Sequence, residues 1–221
     1  MSFNQSAGRI EALMSAQRVL LANASHELRS PLARIRMAIE LLSEAPSAAV
    51  RAELARNVVE LDQLVEEVLL ASRLDAMSKR EHAQTAVDLT ALVAEECARA
   101  TAQFSGERME MSGDAALLRR MIRNLLENAQ RHGGGTPILV TLTASATEIA
   151  LEVRDGGAGV PQSEREAIFA PFYRGRGASE ADGGYGLGLS LIRQIARQHG
   201  GDVRCIACEA GGGRFRVALP R

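Results

Sequence analysis

Residues 25–32 read SHELRSPL: a histidine followed at once by a glutamate, in a run with helical periodicity, with a proline five residues on. The surrounding sequence decides which element carries them. Residues 1–79 hold two prolines, one glycine and no sustained alternation of apolar and polar residues, so this third of the chain reads as helix. Ile10, Leu13, Leu20, Leu21, Ala24, Leu28, Ile35, Ile39 and Leu42 recur at spacings of three and four, an apolar stripe along one long helix. A second stripe holds Val50, Leu54, Val58, Leu61, Leu64, Val65, Val68 and Leu69. Between them Ser43-Glu44-Ala45-Pro46-Ser47 is a turn, with Pro46 suited to open the second helix. Two helices cannot enclose a core alone, and stripes of this width predict a symmetric homodimer closing a four-helix bundle. Pro31 sits inside the first helix, where it removes a backbone hydrogen bond at a cost of roughly 3 kcal/mol, and a kink is expected just after His26.

The formal charge of −1 gives no bulk attraction to polyanions, so no nucleic-acid partner is expected. Lys79 is the only lysine among 26 basic residues; a phosphate clamp would have to be built from arginine forks or backbone amides. Three cysteines without a secretory signal segment fit a reducing compartment, and a cytoplasmic location is the expectation. No stretch reaches the roughly 20 apolar residues that span a bilayer, so a soluble chain is expected.

From about Val87 the texture changes to alternating helix and strand. An amphipathic helix is predicted over 88–104 and a stronger one over 114–131, opened by Asp114. Residues 138–143 (ILVTLT) and 148–154 (EIALEVR) read as paired strands, and VRCIA at 203–207 with RFRVAL at 214–219 as a second pair. Residues 76–86, polar and aperiodic, are expected to link a helical domain over 1–79 to an α/β domain over 85–221.

Four stretches of this second part carry chemistry. NLLENAQRH (124–132) sets Asn124, Glu127, Asn128 and Arg131 on one side of a helix. A solvated surface explains such a face, yet asparagine is a poor helix former, and two of them beside a glutamate offer hard oxygen ligands suited to magnesium. RDGGAGV (154–160) follows a strand and puts Asp155 before Gly157 and Gly159. That is a turn, or equally a place where backbone approaches a ligand closely and a carboxylate accepts from an exocyclic amine. IFAPFYRG (168–175) clusters aromatics in a chain with only 3% of them, the texture of local core. GGYGLGLSLIRQIARQHGG (183–201) runs glycines into an amphipathic helix whose first amides could cradle phosphate. Cys205 and Cys208 form a CxxC with no second pair to complete a zinc site, and are read as structural.

Taken in order, the histidine-bearing helix, NxxxN, DxGxG, FxPF and GxGLGL resemble the catalytic core of bacterial two-component sensor histidine kinases, over nearly the whole chain. The resemblance implies a dimerising histidine-phosphotransfer hairpin followed by an α/β sandwich ATP-binding domain of the type shared with gyrase, the mismatch-repair ATPases and the heat-shock chaperone ATPase. It implies an ATP-dependent protein-histidine kinase that uses ATP and Mg2+, with a response-regulator receiver domain as partner. The opening FNQSAGRIEAL resembles the end of a signal-relay segment that follows a membrane span, which makes the chain the expected cytoplasmic portion of an inner-membrane sensor.

Carried over residue by residue, the resemblance implies that His26 is the phosphoacceptor and Glu27 the carboxylate that fixes its ring and takes its proton. Consecutive helical residues point about 100° apart, so Glu27 must bend to reach. Ser30, one turn beyond His26, is implied to orient the water that removes phosphate from the regulator's aspartate. Serine lacks the methyl that restricts χ1, and its hydroxyl is expected to be less well fixed than a threonine's. Asn128 and Glu127 are the implied magnesium residues, with Asn124, Arg131 and His132 beside the nucleotide. Asp155 is implied to read the adenine amine, and Gly157 and Gly159 to shape its pocket. Gly184, Gly186, Leu187 and Gly188 would receive phosphates, under a mobile lid over about 175–185. Residues 105–113 look too few for the two strands that many relatives carry there, so a trimmed domain with a smaller sheet is expected. Two other functions stay open: an ATP-driven conformational ATPase of the related fold, and a nucleotide-binding module without transfer. HELRSPL argues against the first, and His26, Asn128 and the glycines against the second.

Overall fold

The computed structural model describes residues 3–44, 47–76, 85–175, 184–208 and 211–221, and it divides into two compact units, Met1–Ala76 and Met77–Arg221. The first unit is a hairpin of α1 (Phe3–Glu44) and α2 (Ala48–Ala76). Helix α1 runs unbroken through Pro31, which is buried. Ser47 starts α2, its hydroxyl accepting from the amide of Val50 at 3.2 Å, as an N-cap serine does; Pro46 lies outside the described residues. The helices meet through Leu20, Ala24 and Ala38 on one side and Leu64, Ala71 and Leu74 on the other, all buried. The alanines let the two backbones approach. The apolar stripes are wider than one partner helix can cover, and Leu21, Leu32, Met37, Ile39, Val59 and Leu69 remain exposed.

The second unit is a two-layer α/β sandwich. Its elements run β1 (Thr85–Asp88), α3 (Leu89–Arg99), β2 (Gln103–Gly106), β3 (Glu110–Gly113), α4 (Ala115–His132), β4 (Leu139–Ala144), β5 (Glu148–Arg154), α5 (Gly188–Gln198), β6 (Asp202–Cys205) and β7 (Arg214–Pro220). Short 3-10 turns occur at Gln162–Glu164 and Ala167–Phe169. The main sheet has the order β2-β4-β5-β7-β6, with β2 parallel to β4 and the other pairs antiparallel; β1 and β3 form a separate antiparallel pair. Register decides what each face carries, because side chains alternate along a strand. Leu142, Leu151, Val217 and Val203 stand opposite one another across four strands and are buried. The neighbouring row, Thr141, Glu152, Arg216 and Arg204, faces the other way and pairs its own charges, Arg214 and Arg216 on Glu152 at 2.7 and 3.3 Å. Leu118, Met121, Ile122 and Leu125 of α4 and Leu191, Ile192 and Ile195 of α5 complete the apolar layer.

Asp114 opens α4 as expected, its carboxylate accepting from the amides of Ala116 and Leu117 at 2.9 and 3.1 Å. His199, at the far end of α5, reaches the same place. Its Nε2 accepts from the Asp114 amide at 3.1 Å while Nδ1 donates to the Ile195 carbonyl at 2.8 Å, which ties the end of α5 to the start of α4.

Three expectations are corrected. Helix α3 stops at Arg99 rather than 104, because Thr101 takes a left-handed φ of 55° and the amide of Ala102 returns to the Cys97 carbonyl at 2.9 Å, a helix stop of the Schellman type. The early stop frees residues 103–106 for β2, so two strands fit before α4 and the sheet is not trimmed. Strand β1 begins at Thr85, inside the segment read as linker.

Between α3 and α4, Glu96 is 2% exposed and takes Arg119 Nη1 at 2.7 Å and Arg123 Nε at 3.2 Å. Burial alone would raise its carboxyl, but the hydrogen bonds from Arg123 and Arg119 outweigh it and hold the group below its ordinary 4.5. The stability this carboxylate confers is therefore full above pH 4.5 and lost as pH falls through the lower native value. Glu96→Gln should cost about 2 kcal/mol at neutral pH, less than a fully buried pair because the arginines stay partly hydrated, and the gap to the parent should close on acidification. Urea unfolding read by tyrosine fluorescence isolates this unit, since both tyrosines, Tyr173 and Tyr185, lie in it.

Candidate functional site

Strand β5 delivers Asp155 to the first position beyond its end. Its side chain is 4% exposed, and a buried polar group needs hydrogen-bond partners to replace water. Its Oδ1 accepts from the amides of Gly157 at 2.9 Å and Gly213 at 3.0 Å, and its own amide donates to the Gly213 carbonyl at 3.0 Å. Among the described residues both side-chain bonds fall on Oδ1. Glycine is required at 157 by space, since a Cβ there would lie 1.9 Å from the His132 carbonyl oxygen. The same holds at 212, where a Cβ would lie 1.9 Å from the Asp155 carbonyl oxygen and φ is 87°. Thr136 fastens the other side of this loop: its hydroxyl donates to the Gly133 carbonyl at 2.6 Å and accepts from the Gly156 amide at 2.9 Å.

Helix α4 supplies the opposite wall. Asn124 is 4% exposed; its Nδ2 donates to the carbonyl of Gly188 at 3.4 Å, and its Oδ1 is buried with no hydrogen-bond partner among the described residues. Asn128 is half-buried and Glu127 exposed. At the end of the helix Arg131 and His132 are exposed. The Arg131 guanidinium lies against Gly184, where a Cβ would come within 2.2 Å of Nη1.

The third segment leads into α5. Gly184 and Gly186 take φ of 83° and 71°, and the Gly186 carbonyl accepts from the Phe172 amide at 2.9 Å, which fastens the aromatic stretch to the glycine loop. Ile168 and Phe169 of that stretch are buried, and Arg193 of α5 sits 5.1 Å over the Phe169 ring, so the core reading holds for these two residues, whereas Phe172 and Tyr173 are half-buried and Ala170, Pro171 and Gly175 exposed. Leu187, fully buried, occupies the N-cap of α5 and has no side-chain group to offer the first amides, unlike Asp88 and Asp114 on α3 and α4. Among the described residues no side chain caps the first amides of α5. Gly159, at φ 72°, packs its backbone against the Gly212 carbonyl. Most of the expected lid, 176–183, lies outside the described residues.

His26, Glu27 and Ser30 belong to the helical unit. His26 is exposed on α1, Glu27 and Ser30 half-buried, and the Ser30 hydroxyl accepts from Arg34 Nη1 at 3.1 Å. Sequence reading missed Thr136, Gly212, Gly213 and Arg34. For the glycines the run GGG at 211–213 was the available signal; a threonine and an arginine in polar surroundings carry none.

Residues 113–221 match the family model described as histidine kinase-, DNA gyrase B-, and HSP90-like ATPase, and residues 16–76 that of the His Kinase A (phospho-acceptor) domain. The chain is 34% identical to Sensor protein RstB of Escherichia coli over 99% of its own length and 52% of that protein. It is 33% identical to the probable sensor histidine kinase TcrY of Mycobacterium tuberculosis over 99% of its length and 50% of the relative. The chain thus spans about half the length of the curated relatives it matches. Among solved structures, the ATP binding domain of PrrB from Mycobacterium tuberculosis is 28% identical with a TM-score of 0.52, covering 62% of this chain and 97% of that one. The Acinetobacter baumannii histidine kinase AdeS, at 17% identity and a TM-score of 0.70, shares the fold over 88% of this chain and 97% of its own.

If the Asp155 loop is held as described, Gly157→Ala must push it away from the end of α4. The expected outcome is a loss of about 2 kcal/mol in urea unfolding, read by tyrosine fluorescence. An unchanged midpoint would show that the loop has room to spare.

Proposed function

This chain belongs to the two-component sensor histidine kinases, as their phosphoacceptor and ATPase-type core, and on that premise we propose that it transfers the γ-phosphoryl group of ATP to His26 and then to an aspartate of a response-regulator receiver domain. The observation that carries the reading is the convergence of Asp155, the polar face of α4 and the open N-terminus of α5 on one site. Asp155 Oδ2 accepts from the adenine amine, a direction fixed by the two amides on Oδ1. The amides at Gly188 and the Arg131 guanidinium beside Gly184 take the phosphates. His132, exposed next to Arg131, borders the nucleotide, and Gly159 shapes the pocket wall.

Asn128 and Glu127 are the residues that would hold Mg2+, and the orphaned buried Oδ1 of Asn124 on the same helix fits a hydrated hard cation. No cluster of three or more His, Cys, Asp or Glu suited to a metal occurs among the described residues. Bound at Asn128 and Glu127, Mg2+ would supply positive charge that offsets the charge on the phosphates. His26 is exposed on its helix and so open to attack on phosphorus. A neutral ring nitrogen forms the N–P bond, the bond from phosphorus to the departing ADP oxygen breaks, and Glu27 takes the ring proton. Ser30 orients the water that hydrolyses the regulator's phosphoaspartate.

The exposed apolar residues of α1 and α2 support a homodimer closing a four-helix bundle. No described helix is long and apolar enough to cross a membrane; the chain spans about half the length of its curated relatives, and the resemblance of the opening FNQSAGRIEAL to a segment that follows a membrane span supports its being the cytoplasmic part of a longer inner-membrane sensor.

Incubation with labelled ATP and magnesium should give label that acid removes and alkali spares, the signature of phosphohistidine. His26→Gln should abolish it while binding of a fluorescent ATP analogue persists. Asn128→Ala should lose at least about tenfold in magnesium-dependent nucleotide affinity, yet its His26 should still accept label from an added wild-type ATP-binding domain. Label retained in His26→Gln would overturn the assignment.

A further inference from the structure

We infer that Arg34 is a positioning residue that holds the Ser30 hydroxyl for dephosphorylation of the regulator, an inference that rests on the reading of Ser30 given above. Arg34 lies four residues beyond Ser30 and eight beyond His26, so all three share one face of α1. Each nitrogen of its guanidinium donates in a different direction. Nη1 donates to Ser30 Oγ at 3.1 Å, Nε to Asn57 Oδ1 at 2.8 Å and Nη2 to Glu60 Oε2 at 2.7 Å. Asn57 and Glu60 stand three apart on α2, and Asn57 is 5% exposed, the most buried polar side chain described in the hairpin.

Three anchors in one plane immobilise the fork. The planar guanidinium is suited to this, whereas an ammonium would satisfy one acceptor well and the others poorly. Turning Ser30 about χ1 would break its bond to the fork, so Arg34 supplies the restraint that a threonine would draw from its methyl group. On this inference the Ser30 hydroxyl is held more firmly than the missing methyl alone implies. The bond from the fork fixes the direction of the Ser30 oxygen, and from that fixed position the hydroxyl orients the water. In the hydrolysis the water oxygen bonds to phosphorus, the bond from phosphorus to the aspartate carboxylate oxygen breaks, and the water's proton leaves with inorganic phosphate. Because two of the three anchors are on α2, the serine is fixed relative to both helices, and sliding one against the other would withdraw it from its water.

The test uses the full chain and a receiver domain carrying phosphoaspartate prepared with acetyl phosphate. Phosphate release and His26 self-labelling are followed side by side, the latter reporting that the hairpin is folded. Arg34→Ala should slow release about tenfold, the scale expected when a positioning contact is lost, with self-labelling within about twofold of the parent. Arg34→Lys should rescue little of it. In a Ser30→Ala background, Arg34→Ala should cause no further loss, since both changes remove one function. Glu60→Gln, which weakens the fork without stranding Asn57, should give a smaller drop in the same direction and serves if Arg34→Ala fails to fold. Release at the parent rate in Arg34→Ala, full rescue by lysine, or an equal further loss without the Ser30 hydroxyl would each overturn the inference. A parent that labels His26 but releases no phosphate overturns the dephosphorylation reading and this inference with it, while the kinase reading stands.

Discussion

A carboxylate buried to 4% exposure at the end of a strand organises the α/β unit. Burial of a charge is tolerable only when hydrogen bonds replace its water, and Asp155 meets that condition with the amides of Gly157 and Gly213. The requirement propagates outward. Gly213 can reach only if the β6–β7 connection folds back over the β5 end, which needs the left-handed glycine at 212. Gly157 can reach only if it lies flat against the last turn of α4, which excludes a side chain. One charge thus fixes the spacing between the sheet, the β6–β7 hairpin and the helix that carries the asparagine face, before any ligand arrives.

The helical unit depends on a different balance. Its seam is short on bulk, with Ala24, Ala38 and Ala71 among the buried contacts, so backbones come close and the remaining apolar surface is left outside. Into this seam the fork of Arg34 with Asn57 and Glu60 introduces polarity. Such a cluster adds little net stability over an apolar replacement, but it is directional, and an apolar seam is not. It gives the two helices one preferred register, and Ser30 is read against that register.

Helix ends show how the unit divides its labour. Asp88 and Asp114 satisfy the first amides of α3 and α4 with their own side chains. At α5 the corresponding residue is the buried Leu187, which offers no side-chain cap, and Arg131 lies against Gly184 in the glycine loop that leads into this helix. His199 closes the opposite end, tying α5 to the Asp114 amide, so the two helices bordering the site are held together at the end remote from it.

Periodicity and punctuation alone marked the two long helices, the strand pair at β4 and β5, the β6–β7 pair and the Asp114 cap, because each depends on residues close in sequence. The asparagine face of α4 and the glycines at 157, 184 and 186 were visible for the same reason. Chain order and spacing, however, do not say how far a helix runs once a non-glycine residue adopts a left-handed φ, and Thr101 therefore hid the end of α3 and the two strands after it. Nor do they reveal partners brought from a distance. Thr136 beside Gly156, Gly213 on Asp155 and Arg34 between Ser30, Asn57 and Glu60 join residues 20 to 58 positions apart in all but one case. Local pattern determined which elements form and which faces they present; only the tertiary structure decided which polar groups meet, because hydrogen bonds are matched in space and leave no period in the chain.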